Sequence, residues 1–370
     1  MASLIALLAE IPDPRRGNAQ RHELLEILTI ALVASVCGGE SCVDFADFGH
    51  DRELLLREFL KLENGLPSHD TFSRVFRLLD PDAFSRAFAA FLNDLGADGR
   101  GVLAIDGKTL RRSFDRAAGR SPLHVVTAFG AGARVAIGQA AVAEGENETL
   151  AARALLETLA LDGLLVTGDA MHAQAETAAR VLERGGDYLF ALKANRPAML
   201  AEVEAFFADP PEALPEAITT DADHGRVEIR RHRVSHDVHW LFSSRRYAGE
   251  PAMPGLATIA CVEAERRIDG SASRSTRYYL SSARLTPERF AEVVRAHWAI
   301  ENGLHWVLDV TFDEDRARNR KDHGPENLAI LRRLTLNLLN TARPGLSVSR
   351  KRKRSGWSDA CARSIIGQMR

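Results

Sequence analysis

Three carboxylates stand where chemistry is possible. Asp106 closes the apolar run "VLAID", Asp169 closes "LLVTGD", and Glu301 lies within "HWAIENGLH". Both aspartates are predicted at the carboxyl ends of strands, the edge of an open α/β sheet where ligands bind. Acids from two strands and a helix make the oxygen-rich pocket that hard divalent ions prefer. Two such ions ~3.5–4 Å apart stabilise both the attacking and the leaving oxygen of a phosphodiester displacement. A single strand-end aspartate more often caps a turn, and "DG" after a strand is a turn signal. Two of them in the right β-order, with a third acid, give metal-ion chemistry about equal standing with that structural reading.

Other patterns compete. "DGKT" suggests a nucleotide-binding loop, but the glycine required five residues before Gly107 is replaced by Val102, inside the strand. His297, Glu301 and His305 recur every four residues, share one helix face and could hold zinc, although the contiguous HExxH is absent. The alternative puts Trp298 and Trp306 in the core and the histidines at an interface.

Basic residues crowd near the acids: Lys108, Arg111 and Arg112 after the first, and Lys193 after "YLFAL". Arg226, Arg230, Arg231 and Arg233 share one predicted strand, and Arg316, Arg318, Arg320 and Lys321 follow the Glu301 helix. Residues 350–354, including Arg352 and Lys353, form an unbroken basic run. Each alone reads as a solvated face. Together they suit a polyanion passing over a metal site, and His297 joins them as a candidate DNA contact.

These residues need a framework to hold them. The 370 residues are 45% hydrophobic and 26% charged with a net charge of −2, which predicts two to three globular domains and no global basic field. The four cysteines show no zinc or CxxC spacing and read as reduced thiols of a cytoplasmic protein. The longest apolar run, at 27–39, is too short for a membrane span.

Residues 1–95 read as helices, with Ser68 a candidate N-cap and the Asp80–Pro81 step a break between two of them. The segment "LPSHDTFSRVFRLL" could be the second helix of a helix-turn-helix with Arg74 and Arg77 facing out, or a plain helical hairpin. Gly96 to Gly101 marks a boundary. Beyond it the order is β-β-β-α-β-α-β-α, a mixed sheet with helices against it. Period-two patterning over about 218–283 predicts a β-rich insertion, after which 286–310 reads as one helix carrying Glu301, docked by Trp298, Trp306 and Leu308.

Several stretches taken together, "IPDPRRGNAQRHELLEIL", "LPSHDTFSRVFRLLDP", "AIDGKTLRRS", "GDYLFALKANRP", "HGRVEIRRHRV", "RYYLSS" and "HWAIENGLHWVLDVTFDED", resemble the H-repeat-associated, or ISAs-one, transposases, DDE transposases of the IS-four-like group. The resemblance covers nearly the whole chain. It implies an α/β fold: a ribonuclease-H-like mixed sheet with helices on both faces, a β-rich insertion and an all-helical N-terminal domain. The expected divisions are a helical domain at 1–95, a catalytic domain at 100–342 with the insertion at 218–283, and a basic tail at 343–370. Asp106, Asp169 and Glu301 would be the catalytic, metal-holding triad, with two Mg²⁺ ions (Mn²⁺ as substitute). The partners implied are terminal inverted repeats and target DNA, bound by a homodimer near the bacterial nucleoid, with no membrane. An inactive DNA-binding copy, or a nuclease of the same fold that cannot join ends, are the alternatives. The sequence departs from the wider group at Val294, His297 and Leu308, where a tyrosine, an arginine and a lysine are usual, and at His172, where a glycine is common.

Overall fold

The computed structural model describes residues 4–94, 101–223, 226–242, 253–268, 271–342 and 345–369. Most of the boundary expected at Gly96 to Gly101 lies outside the described residues. The chain opens with helices α1 (Leu4–Ala9), α2 (Leu24–Val36), α3 (Cys42–Asp51), α4 (Glu53–Leu56), α5 (His69–Leu78) and α6 (Pro81–Asp94). Next come β1 (Val102–Thr109), β2 (His124–Gly130), β3 (Val135–Ala141), α7 (Glu148–Thr158), β4 (Leu165–Gly168), α8 (Ala175–Glu183), β5 (Asp187–Leu192) and α9 (Pro197–Ala208). Then follow β6 (Glu216–Asp223), β7 (Arg226–Ser235), β8 (Thr258–Ile268), β9 (Ser271–Ser281) and α10 (Pro287–His297). The last helices are α11 (Trp306–Thr311), α12 (Gly324–Thr341), α13 (Val348–Trp357) and α14 (Asp359–Ile366).

Two compact units divide these elements. One, the sheet unit, comprises 98–106 and 152–300; the other, the helical unit, comprises 1–97, 107–151 and 301–370.

In the sheet unit the strand order is β1-β4-β5-β9-β8-β7-β6. β1 pairs with β4 and β4 with β5 in parallel, while β5 to β9 and every pair beyond it are antiparallel. The start of β1 and all of β4 are buried at every position, as expected of parallel strands covered on both faces. The expected β-rich insertion is present as β6 to β9. Because Leu189 of β5 pairs with Ser281 and Leu192 with Tyr278, the insertion lengthens the same sheet. Thr286 caps α10 by accepting from the Arg289 N–H, with Pro287 at the first turn.

In the helical unit α2 is buried at nearly every position, the pattern of a helix surrounded by others. Ser41 and Asp44 start α3 with a reciprocal capping box. Ser68 precedes α5 in extended geometry, but its hydroxyl meets Thr71 and makes no backbone cap. Asn327 of α12 donates to the carbonyls of Phe76 and Leu79 at 2.9 Å each, and Asn337 exchanges hydrogen bonds with both backbone groups of Ala136 on β3. The order of the strands here is β3-β2-β1, with β2 and β3 antiparallel.

Two sequence expectations need correction. The supposed tail at 343–370 holds α13 and α14, each capped by a serine (Ser347, Ser358) and each with a buried face. The supposed single helix over 286–310 is interrupted. α10 stops at His297, a π-helix occupies Glu301–His305, and α11 comes next. Across 286–310 the buried apolar side chains include Phe290, Val293, Ile300, Leu304, Val307 and Leu308, whereas Trp298 and Trp306 are 45% and 59% exposed and do not dock the segment.

Candidate active site

Asp106 and Asp169 sit at the same end of neighbouring strands. Ile105 and Gly168 form the last register pair of β1 and β4, and each acid is the next residue. Parallel strands run ~4.8 Å apart, so the two acids lie side by side, Asp169 just past the end of β4 and Asp106 inside β1, which continues to Thr109 instead of ending at the acid as the sequence predicts. Asp169 then opens a 3-10 turn, Ala170–His172, closed by the His172 N–H donating to the Asp169 carbonyl at 2.9 Å. Asn195 and Arg196, of the "KANRP" stretch, donate to the carbonyls of Ala170 and Ala173 and hold that turn in place. His172, where the family resemblance implies a glycine, is fully buried with its ring against Gly168, and a Cβ on Gly168 would stand 3.0 Å from the imidazole. The glycine before the acid thus makes room for the unexpected histidine.

The Asp169 carboxylate is 58% exposed, with Lys193 Nζ at 3.3 and 3.4 Å from its two oxygens. His297 Nδ1 lies 2.9 Å from the Thr167 hydroxyl, two residues before the acid on β4. Burial lowers its pKa below the usual histidine range, against the opposing pull of Asp169.

In the helical unit Glu301 is exposed and begins the π turn, the kind of local helix defect that recurs at functional sites. His305 ends the same turn with a ring nitrogen within 4.8 Å of the Glu301 carboxylate. Burial pushes the His305 pKa down to about 4, helped by Arg333 and Lys108, so the ring is neutral at pH 7 and chemically fit to ligate a metal. The stripe of His297, Glu301 and His305 expected on one α-helical face does not exist, because the α-helix ends at the first of the three.

Lys108 is buried and holds three acids: Asp309 at 2.7 Å, Asp315 at 3.1 Å and Glu314 at 3.7 Å. Glu314 is fully enclosed between Lys108, Arg333 at 3.3 Å and Arg332 at 3.8 Å, and Arg333 also donates to the Thr127 hydroxyl of β2. Burial alone would lower the Lys108 pKa, but Glu314, Asp309 and Asp315 outweigh it and raise it. Burial alone would raise the Glu314 pKa, but Arg333, Arg332 and Lys108 hold it low. Sequence reading missed this cluster, although two arginines inside the apolar "LAILRRLTLNLL" were a visible signal.

The expected DNA contacts separate accordingly. Lys108, Arg230, His297 and Arg352 already have polar partners within the protein, Lys108 and Arg352 buried and Arg230 and His297 half-buried. Arg230 pairs with Asp221 and Glu228 across and along the β6–β7 ladder. Arg352 is 5% exposed and donates to the carbonyls of Ser35, Gly39 and Thr311. Arg320 lies over the Phe114 ring at 4.4 Å and donates to the Arg112 carbonyl. Arg111, Arg112, Lys193, Arg316, Arg318, Lys321 and Lys353 are exposed. The side chain of Arg226 lies outside the described residues. Of the helix-turn-helix candidates, Arg74 is exposed and Arg77 pairs with Asp322 at 2.7 Å.

Comparison with known proteins identifies the family of the chain. The transposase DDE domain family matches residues 97–338, and the DDE_Tnp_1-associated family matches residues 5–92. An Escherichia coli K12 protein, "H repeat-associated putative transposase YhhI", is 33% identical over 365 residues, which cover 97% of this chain and 96% of that one. A Xanthobacter autotrophicus protein from the dhlA 3' region is 39% identical over 283 residues, 75% of this chain and 93% of its own. Among solved structures, a piggyBac transposase synaptic complex with hairpin DNA aligns at a TM-score of 0.42 and 12% identity, covering 99% of this chain and 78% of that one. With the family matched over residues 97–338 and a relative 33% identical over 97% of its length, the chain belongs to the DDE transposases.

Proposed function

We propose that this transposase cuts DNA at the ends of its insertion sequence and joins them to target DNA, by hydrolysis and then transesterification, with Asp106, Asp169 and Glu301 as its catalytic acids. The observation that carries this reading is the register of β1 and β4, which brings Asp106 and Asp169 to the same edge of the sheet.

The donor set fits a divalent metal. Carboxylate oxygens suit Mg²⁺ and Mn²⁺, and the neutral imidazole of His305 beside Glu301 is a further possible ligand. Asp106, Asp169 and Glu301 would hold two ions, which when bound polarise the scissile phosphodiester and acidify an attacking water.

The protein's own groups do the rest. Lys193 shares its charge with an exposed carboxylate, so it is free to exchange that partner for a DNA phosphate. Arg111, Arg112, Arg316, Arg318, Lys321 and Lys353 offer exposed cations to the strands on either side. We assign 100–342 as the catalytic domain and 1–95 as the helical DDE-associated domain, acting as a homodimer on duplex DNA beside the nucleoid. No helix among the described residues is long and apolar enough to cross a membrane.

The test uses the full chain, Mg²⁺ and duplexes carrying the sequences that flank its gene. Cleavage at the repeat ends, and joining of a pre-cut end to a plasmid, are expected. Binding without cleavage, or cleavage without joining, would replace this reading by one of the two alternatives.

A further inference from the structure

Gly107, the residue after the first catalytic aspartate, lies beneath a hydrogen-bonded arm that the DDE reading does not use. Thr109 Oγ1 is 2.8 Å from His124 Nδ1, and His124 Nε2 is 2.8 Å from Glu148 Oε2. An ionised Glu148 only accepts, so Nε2 carries the hydrogen and donates, leaving Nδ1 to accept from the Thr109 hydroxyl. The arm is built from β1, the first residue of β2 and the first turn of α7, where a helix N-terminus favours a carboxylate. Glu148 is mostly covered, its side chain 14% exposed.

The arm rests directly on the Gly107 backbone. A Cβ on Gly107 would stand 2.3 Å from Glu148 Oε2 and 2.4 Å from His124 Nε2, so adding one would push the ends of both side chains aside. An alanine here therefore acts on the arm and not through a positive φ. Glu148 also acts electrostatically on His305, the histidine that ends the Glu301 turn, raising its basicity.

We propose that Glu148 and His124, with Thr109, are positioning residues for the transposase reaction. They clamp the end of β1 at Gly107 and thereby fix the carboxylate of Asp106, the residue before it. The proposal rests on the DDE reading.

The test compares E148A, H124A, E148Q and G107A in the full chain. It measures steady-state cleavage, thermal unfolding and calorimetric Mn²⁺ binding without DNA. E148A and H124A are expected to lower kcat about tenfold or more with KM for DNA unchanged, and to weaken Mn²⁺ by about 10–100-fold, the usual effect of losing a group that orients a ligand. Their unfolding midpoints should stay within a few degrees of wild type. E148Q, whose amide oxygen can still accept from Nε2, should recover most of kcat. G107A should resemble E148A, and adding it to E148A should cost little more, because both break one clamp. The proposal is overturned if E148A and H124A cleave and bind Mn²⁺ like wild type, or if E148Q is as impaired as E148A. D106N run in parallel separates the two levels. A cleaving D106N overturns the DDE reading itself, whereas a dead D106N beside normal E148A and H124A overturns only the clamp.

Discussion

The edge of β4 and the pocket around Lys108 use the same residue types to opposite ends. At β4 an exposed carboxylate, Asp169, meets one lysine at 3.3 Å in reach of solvent. Around Lys108 a fully enclosed Glu314 meets Arg333, Arg332 and Lys108 at 3.3 to 3.8 Å. The first pair is weakly held, since water and salt screen it, and it is available for exchange with a metal or a phosphate. The second cannot come apart without leaving a bare charge in a dry interior. A charge that is to act on a ligand is left reachable and under-paired, while a charge that shapes the protein is enclosed by several opposite charges.

That contrast can be broken in several ways. The largest effect is expected at the three acids assigned to the metal site. Asp106→Asn, Asp169→Asn or Glu301→Gln should each lower cleavage on the order of a thousandfold while leaving DNA binding in a mobility-shift assay intact. Asp169→Asn should also leave the unfolding midpoint within a few degrees of wild type, as for an ordinary surface change. Near-normal cleavage by any of the three would remove that residue from the site.

The buried acid should show the reverse. Glu314→Gln leaves Arg333 and Lys108 under-compensated and is expected to cost about 3–5 kcal/mol in denaturant unfolding. A variant as stable as wild type would mean that Glu314 does not balance the buried cations around it.

The basic run of α13 contains both kinds of charge in one helix. Replacing the exposed Arg350, Lys353 and Arg354 by alanine should leave stability nearly unchanged and flatten the salt dependence of DNA binding, by roughly 0.9 in log–log slope for each phosphate no longer neutralised. Arg352→Ala should lower stability and leave the slope alone. An unchanged slope in the triple variant would make this face a solvated one.

The smallest effect concerns a half-buried acid that lies near two others. Burial, with Asp82 and Asp80 nearby, pushes the Glu326 pKa up to about 7 from 4.5. The folded state therefore holds a proton that the unfolded chain releases. The stability this confers is complete below about pH 4.5 and is lost as pH rises through about 7. Glu326→Gln, neutral throughout, should gain on wild type by on the order of 1–2 kcal/mol between pH 5 and pH 8. A gap that does not change with pH would place Glu326 in water.

Much of this was legible beforehand. Apolar runs ending in acids marked β1 and β4, because parallel strands buried on both faces leave an uninterrupted hydrophobic signature. The insertion showed in its period of two. Other features leave no such trace. Arg352 is satisfied by carbonyls of Ser35, Gly39 and Thr311, and backbone acceptors distant in sequence are invisible in a run of letters. The same holds for Glu148, which meets His124 only once β2 and α7 have folded. The tryptophans misled by composition, since large apolar side chains are usually covered and Trp298 and Trp306 are not.

The π turn at Glu301–His305 carries a consequence for how this chain can change over time. A π turn holds one residue more than an α turn, so α11 is set out of phase with α10. Removing a single residue such as Asn302 would rewind the turn and rotate α11 by about 100°. Val307 and Leu308, both now buried, would swing off the core. The number of residues in this stretch is therefore fixed, and descendants that keep Glu301 and the buried Leu304, Val307 and Leu308 should show substitutions at exposed positions such as Asn302 and Trp306 but no gap.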